Sequence, residues 1–307
     1  MHMASRLREL AASPWLLWLR RGFIPLALAF LAYSAYLASD HLRPLLAVVS
    51  VPHLLLACML WSLTQWVGPL ASVAMARILD IRLGYRELAL ISVLRLPAKY
   101  LPGGIWQSVA RFAAYQRLAI KNSDSMTILI VEHMFALGVS VALGASLLLC
   151  ATHSVNTSRI AAGLLVLSII GLLLPSVWLQ RNQGRTRGVF LWILKLTLSA
   201  CFFWALAAAS FCVYWLGVFG NEAADLRLVG SCYLLSWAAG FVAIFAPQGL
   251  GVFEWVAANL MSSTQPLSVA VTAVAGFRMI TIIGDLATWS LGVALSRYGS
   301  RGSESCR

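Results

Sequence analysis

Near residue 100 the chain reads Lys99-Tyr100-Leu101-Pro102-Gly103-Gly104-Ile105-Trp106-Gln107, within an otherwise strongly apolar sequence. A second interruption of this kind reads Ala246-Pro247-Gln248-Gly249-Leu250-Gly251-Val252-Phe253-Glu254-Trp255. Proline removes a backbone donor and glycine loosens the chain, and in both places a segment that can restart as a helix follows. This pattern is typical of a discontinuous membrane helix. We therefore expect a substrate site at the two breaks.

The composition around these breaks predicts the fold class. Hydrophobic residues make up 60% of the 307 residues and charged residues 11%, and the mean hydropathy is +0.82. One soluble core of this length cannot bury so much apolar surface. The apolar runs are long and do not alternate with polar residues, which favours helices over a membrane barrel. The sequence therefore predicts an all-α, polytopic integral membrane protein.

Hydropathy divides the chain into spans. Counting broken segments, we expect about seven or eight transmembrane helices, plus two broken or re-entrant helices at the Pro/Gly motifs. The predicted spans are 23–38, 45–75, 126–150, 160–178, 189–219, 228–245 and 267–295. The predicted domains are a basic amphipathic segment at 1–22, a transmembrane domain at 23–297 and a short polar tail at 298–307. The segment 1–22 suits either a helix on the membrane surface or a basic cytosolic tail.

Charged loops predict the orientation, since short cytoplasmic loops are enriched in Lys and Arg. Many arginines lie between the second and third spans, and the loop 181–187 holds three more. The loops 39–44, 151–159 and 220–227 are poorer in positive charge. We therefore expect a cytosolic N-terminus. The net charge of +12 suits anionic lipid headgroups, so nucleic acid is not expected as a partner.

The two breaks also align with one another. Matching 102–105 with 247–250 places a tryptophan and a Val-Ala pair a few residues later in both, if a short gap is allowed, which indicates an internal repeat. A helix that starts after either break leaves backbone N–H groups unpaired, and these favour an anion such as a phosphate. Near the first break, Arg95, Lys99 and Arg111 would strengthen that preference. The alternative is that each Pro-Gly element makes a tight turn between helices.

Ionisable residues inside the apolar runs are costly unless they are paired or hydrated. Arg278 and Asp285 lie seven residues apart in the last span, and therefore on one helix face. Glu254, directly after the second break, is a candidate partner for Arg278. Three further ionisable residues lie close enough to a predicted cytosolic boundary to snorkel to the interface: Glu132, His133 and Lys195.

Both breaks and the later Arg278 carry a resemblance to a known family. The stretch 95–117 with its Lys-Tyr-Leu-Pro-Gly-Gly-x-Trp core, the motif 247–254 and Arg278 resemble the transmembrane flippase-like domain of lysylphosphatidylglycerol synthases, which many stand-alone bacterial and archaeal membrane proteins share. The resemblance covers nearly the whole chain. The second motif of the family usually reads Pro-Gly-Gly-x-Gly, and here Gln248 replaces the first Gly. Because only a short tail follows residue 295, the resemblance implies lipid translocation without lipid synthesis, in a bacterial cytoplasmic membrane.

These observations predict a flippase for a phospholipid or a polyprenyl-phosphate-linked glycan, with the membrane lipid or lipid-linked substrate as partner and with no catalytic residue, metal or cofactor. The G-x-x-x-x-G-K-[ST] pattern of nucleotide-driven transport is absent from the sequence. The predicted substrate-binding residues are Arg95, Lys99, Pro102, Gly103, Gly104, Trp106, Gln107, Arg111, Pro247, Gly249, Gly251, Glu254, Arg278 and Asp285.

Two other functions stay open. One is a membrane-embedded enzyme that acts on lipid-linked glycans and takes its acid or base from Glu132, His133, Glu254 or Asp285. The other is an accessory subunit that partners an envelope-biosynthesis enzyme.

Overall fold

The structure is a computed structural model that describes residues 49–100, 105–183, 188–220, 225–243, 246, 249–262 and 264–304. Within these ranges the chain is helical and contains no strand. The elements are α1 (Val51–Val67), α2 (Pro69–Ile78), α3 (Tyr85–Val93), a 3₁₀-helix (Leu96–Tyr100), α4 (Trp106–Arg117), α5 (Asn122–Ala151), α6 (Val155–Gln183), α7 (Val189–Phe219), α8 (Leu226–Val242), α9 (Val252–Leu260) and α10 (Leu267–Glu304).

Several sequence predictions lie outside the described residues. They are the N-terminal segment 1–22, the first predicted span 23–38, and the proline and glycine positions Pro102, Gly103, Gly104 and Pro247.

Five helical stretches of the described chain are long and apolar enough to cross a membrane. They are Val51–Ile78, Asn122–Ala151, Val155–Asn182, Val189–Phe219 and Leu267–Arg297, and α8 is a shorter apolar helix. The spans predicted from 45–75 onward lie on these helices, so the helical fold class is confirmed and fits a multi-pass membrane protein. The total of seven or eight crossings stays a prediction. The last of these stretches ends at Arg297, and α10 continues as a helix to Glu304.

The helices α5 and α6 form a hairpin with a very short connection. Only residues 152–154 separate them, whereas the sequence predicted a loop at 151–159. The loop is shorter because α6 begins early, with the Ser158 N–H donating to the Ser154 carbonyl at 2.9 Å.

The helix α7 lies at the centre of the packing. It contacts α1, α2, α5 and α8, and its aromatic side chains form a core with those of α8 and α10. Phe211, for example, stacks on Tyr233 of α8 with a centroid distance of 5.3 Å and meets Phe277 of α10 edge-on at 5.0 Å. The helix α10 also packs against α1, the 3₁₀-helix and α9. The 3₁₀-helix that precedes the first break and the helix α9 that follows the second therefore lie against the same long helix.

Glycine allows α10 to approach α1 closely. A Cβ built on Gly284 would lie 2.9 Å from a ring carbon of Trp61, 3.0 Å from the Ser62 hydroxyl oxygen and 3.3 Å from the Cys58 carbonyl oxygen. The Ser62 hydroxyl donates to the Gly284 carbonyl at 3.2 Å across this contact. Close approach at small residues is the usual way in which membrane helices pack, because lipid supplies no hydrophobic force between them.

We predict that Gly284→Val destabilises the fold, because a branched side chain at this contact must push α10 away from α1. Overpacking of this kind costs about 1 to 3 kcal/mol. The matched control is Gly171→Val on α6, where an added Cβ meets nothing within 4 Å. Thermal unfolding of the purified variants in detergent measures the difference. Equal melting temperatures for the two variants would contradict the predicted role of Gly284.

Candidate functional site

The carboxylate of Asp285 is buried on α10 and held by donors from two other elements. Asp285 is 1% exposed. It forms an ion pair with Lys99, accepts a hydrogen bond from the Tyr100 hydroxyl, and accepts another from the Trp61 indole N–H at 2.9 Å. Lys99 and Tyr100 end the 3₁₀-helix that precedes the first break, and the buried Leu96 at its start fixes it in the bundle. The first interrupted region is thus attached to α10 through a fully compensated charge.

A second ion pair attaches the other interrupted region to α10. Glu254 of α9 is 0% exposed, and its Oε1 pairs with Nε of Arg278. Its Oε2 accepts the Gly251 N–H at 2.7 Å, and the Arg278 guanidinium lies 5.3 Å from the Phe253 ring centroid. The partnership between Glu254 and Arg278 that the sequence predicted is confirmed.

The two ion pairs lie on one face of α10. Arg278 and Asp285 are seven residues apart in one helix, which is a rise of about 10 Å. The Tyr100 hydroxyl, bound to Asp285, also interacts with Thr281, one turn before Asp285 on α10. Within the described chain, α10 therefore carries a short ladder of alternating charges. We call this set, Lys99, Tyr100, Glu254, Arg278 and Asp285, the α10 charge ladder.

A third ion pair lies between α4 and α5. Arg111 Nη2 donates to Glu132 Oε2 at 2.8 Å, to the Ser72 hydroxyl at 3.0 Å and to the Tyr115 hydroxyl at 2.9 Å. The side chains of Arg111 and Glu132 are only 12% and 10% exposed. The expectation that Glu132 snorkels to the interface is therefore wrong, because Arg111 compensates its charge inside the bundle.

The other two residues expected to snorkel differ from each other. The His133 ring stacks on Phe241 at a centroid distance of 5.6 Å, and its Nδ1 lies 2.6 Å from the Leu129 carbonyl oxygen, so the bundle holds the ring. Lys195 is exposed and lies 4.1 Å over the Trp192 ring, which agrees with snorkelling.

Arg95 and Gln107 both lie near the first break, and they make different contacts. Arg95 donates to the Ile91 carbonyl at 3.1 Å and to the Ala110 carbonyl at 3.3 Å, and so joins the end of α3 to α4. Burial, together with the repulsion of Arg117, lowers the pKa of Arg95. Gln107, one turn before Arg111, lines a cavity with it. Trp106 is the first residue of α4.

The second break is a tight turn against the end of α8. Gly249 has φ +64°, its N–H donates to the Ala246 carbonyl at 2.9 Å, and an added Cβ would lie 2.7 Å from Gly240 Cα. Gly251 also has a positive φ of +82°. The N-terminus of α9 that follows is already faced by the carboxylate of Glu254. An external anion at this helix end would therefore compete with the protein's own acid.

Sequence reasoning missed partners that come from distant parts of the chain. Trp61 was read only as part of an apolar span, although a buried indole N–H needs an acceptor and could have signalled a polar contact. Tyr100 was quoted in the first motif without a role, and Glu132 was assigned to the interface. No group of three or more His, Cys, Asp or Glu side chains in the described ranges is placed to hold a metal ion.

Comparison with known proteins finds no matching family model and no matching curated protein for this chain. The resemblance drawn from the motifs stays a prediction.

We predict that Gly249→Ala is more damaging than Gly188→Ala. Both glycines have positive φ, and the left-handed conformation of Gly188 costs a residue with a Cβ about 1 to 2 kcal/mol. Only at Gly249 does the new Cβ also meet backbone atoms, since nothing lies within 4 Å of a Cβ at Gly188. Thermal unfolding should show a larger drop for Gly249→Ala. A drop no larger than that of the control would contradict the tight contact between Gly249 and Gly240.

We also predict that the Glu254–Arg278 pair is strongly coupled. Arg278→Met alone leaves a buried carboxylate uncompensated, which typically costs about 3 to 5 kcal/mol. Adding Glu254→Gln removes that charge and keeps an oxygen for the Gly251 N–H, so the double variant should recover most of the lost stability. A double-mutant cycle of unfolding free energies measures the coupling. Additive effects of the two substitutions would contradict it.

Proposed function

We propose that this protein moves a lipid with a charged headgroup, either a phospholipid or a polyprenyl-phosphate-linked glycan, between the leaflets of a membrane. The observation that supports this best is the α10 charge ladder. Ionisable residues inside a membrane-spanning bundle are costly, and they are the usual sign of a path for a polar substrate. In this ladder the partner charges come from both interrupted regions, as in transporters whose sites lie between two broken helices.

The chemistry of the ladder suits a headgroup that carries phosphate. A phosphate that enters beside α10 takes the place of a carboxylate as the partner of Lys99 or Arg278, and a guanidinium binds phosphate with two parallel hydrogen bonds. The released Glu254 keeps the Gly251 N–H as a donor. A released Asp285 keeps the Tyr100 hydroxyl and the Trp61 indole N–H. Because the phosphate gains a cationic partner and the carboxylate keeps its hydrogen bonds, the headgroup avoids much of the cost of crossing hydrocarbon alone.

This proposal modifies the roles expected from the sequence. Arg111 and Arg278 were both predicted to bind the substrate, and each of them has a carboxylate partner in the structure. Under the proposal Arg278 exchanges its partner with the lipid. The driving force is an ion gradient, the membrane potential or downhill equilibration. The proposed setting is a bacterial cytoplasmic membrane, with a cytosolic N-terminus and about seven or eight crossings.

Transport is tested with purified protein in liposomes that contain NBD-labelled phosphatidylglycerol or, separately, NBD-labelled phosphatidylethanolamine. Dithionite quenches label in the outer leaflet only. We expect the protein to raise the quenched fraction above that of empty liposomes for at least one of these lipids. Equal quenching with and without protein for both lipids would contradict a stand-alone flippase for phospholipids and favour the accessory-subunit alternative.

The variants separate transport from folding. We predict that the double variant Glu254→Gln with Arg278→Met stays folded and loses transport, because it cannot exchange an ionic partner. The matched control is Arg227→Gln, which breaks an exposed ion pair of the same chemistry, where Arg227 Nη2 lies 2.7 Å from Asp225 Oδ2. The control should transport at the wild-type rate. Normal transport by the double variant would exclude Arg278 and Glu254 from the mechanism.

A further inference from the structure

A cavity with a mainly apolar lining and a few polar side chains lies apart from the ion pairs of α10. Its volume is about 210 Å³, and its walls come from the junction of α1 and α2, from α4, α5 and α7, and from single residues of α3 and the 3₁₀-helix. This volume is more than ten times the ~15 Å³ that a single water molecule requires, so the cavity can hold a ring-sized polar group. The ion pair of Arg111 and Glu132 forms part of the wall, and Gln107 and Trp204 lie beside it.

Three of the lining residues carry buried polar atoms that lack a hydrogen-bond partner among the described residues. These atoms are Nε of Arg111, Oε1 of Glu132 and Nε1 of Trp204. A buried group left without a partner typically costs about 1 to 3 kcal/mol. The three atoms are buried within the wall, so a ligand in the cavity reaches them only when their side chains turn toward it. Two donors and one acceptor in such a wall favour a ligand that both accepts and donates hydrogen bonds.

The charges of the wall select against ions. An anion in the cavity would meet the Glu132 carboxylate, and a cation would meet the Arg111 guanidinium, which lies beside it at 2.8 Å. An uncharged ligand is repelled by neither residue. If it has several hydroxyl groups, it can pair with both donors and acceptors, because each hydroxyl donates one hydrogen bond and accepts others. Phe203 and Trp204, with ring centroids 5.0 Å apart, add an aromatic wall that suits the C–H face of a sugar ring.

We propose that this cavity binds an uncharged polyhydroxyl group, a sugar ring or a glycerol unit, with the help of Arg111, Glu132 and Trp204. Taking that group to be part of the headgroup of a transported lipid rests on the proposed function. The binding itself does not, and it can be measured without transport.

Binding is tested on the protein in phosphatidylcholine nanodiscs, prepared without glycoside detergents, since these would occupy the same site. The probe is methyl α-D-glucopyranoside, and saturation-transfer difference NMR reports its binding. We expect saturable binding that inorganic phosphate and tetramethylammonium do not displace. Absence of binding, or displacement by either ion, would overturn the proposal.

A pair of tryptophan variants locates the site. Trp204→Phe keeps an aromatic ring and removes one donor, and it should weaken binding about 3- to 10-fold, the value of one hydrogen bond. The control is Trp215→Phe, also on α7, whose buried Nε1 likewise has no partner among the described residues but whose side chain does not line the cavity. Equal effects of the two variants would overturn the proposal. If Trp204→Phe does not fold, Gln107→Leu takes its place, and unchanged binding by that variant counts against the site.

A second set of nanodiscs distinguishes the two sources of such a group. When glucosyl-diacylglycerol is added to the bilayer, loss of the probe signal identifies a lipid headgroup as the occupant, and an unchanged signal identifies a free sugar. Loss of binding with normal transport would overturn only the inference about the cavity. Normal binding without any transport would contradict only the proposed function.

Discussion

The structure depends on one constraint, which is that a charge inside an apolar bundle must keep a partner. The Asp285 carboxylate meets it with an ion pair and two hydrogen bonds, and Glu254 meets it with Arg278 and a backbone N–H. Lys99 and Tyr100 come from the 3₁₀-helix and Glu254 comes from α9, and both of these elements are short. The ion pairs therefore also hold the 3₁₀-helix and α9 in place, because moving either element away from α10 would leave a buried charge uncompensated.

The long helices provide the frame for these contacts. Gly284 lets α10 approach α1 so closely that the neighbouring Asp285 reaches the indole of Trp61. The aromatic core along α7 fixes the positions of the helices against which α10 packs. Tight packing of small and aromatic residues thus places the carboxylate, and the carboxylate in turn places the first interrupted region.

The sequence predicted the long helices well and the site only in part. Apolar runs of about 20 residues can be read from composition, because a membrane requires that length. The pair of Glu254 and Arg278 was also predictable, since both are ionisable residues within apolar sequence near a break. The pairing of Lys99 with Asp285 was not, because the two residues lie far apart along the chain and only packing brings them together. The pairing of Arg111 with Glu132 was missed for another reason, since Glu132 lies near a predicted boundary and was expected to snorkel. Gly249 shows a related limit. Its sequence fits an anion-binding loop and a tight turn equally, and the close packing of Gly249 against Gly240 could not be predicted from either.

The two polar regions differ in what they can recognise, and this difference agrees with a lipid whose headgroup has two parts. The α10 charge ladder contains alternating charges that can exchange partners with a phosphate, whereas the cavity beside Arg111 and Glu132 combines a closed ion pair with uncharged donors and aromatic rings. The ladder pairs two cations with two carboxylates, so a phosphate would bind there only by displacing a carboxylate from Lys99 or Arg278, whereas an uncharged sugar needs only balanced hydrogen bonds. Separate sites would let the bundle bind the two parts of such a headgroup by these two different means.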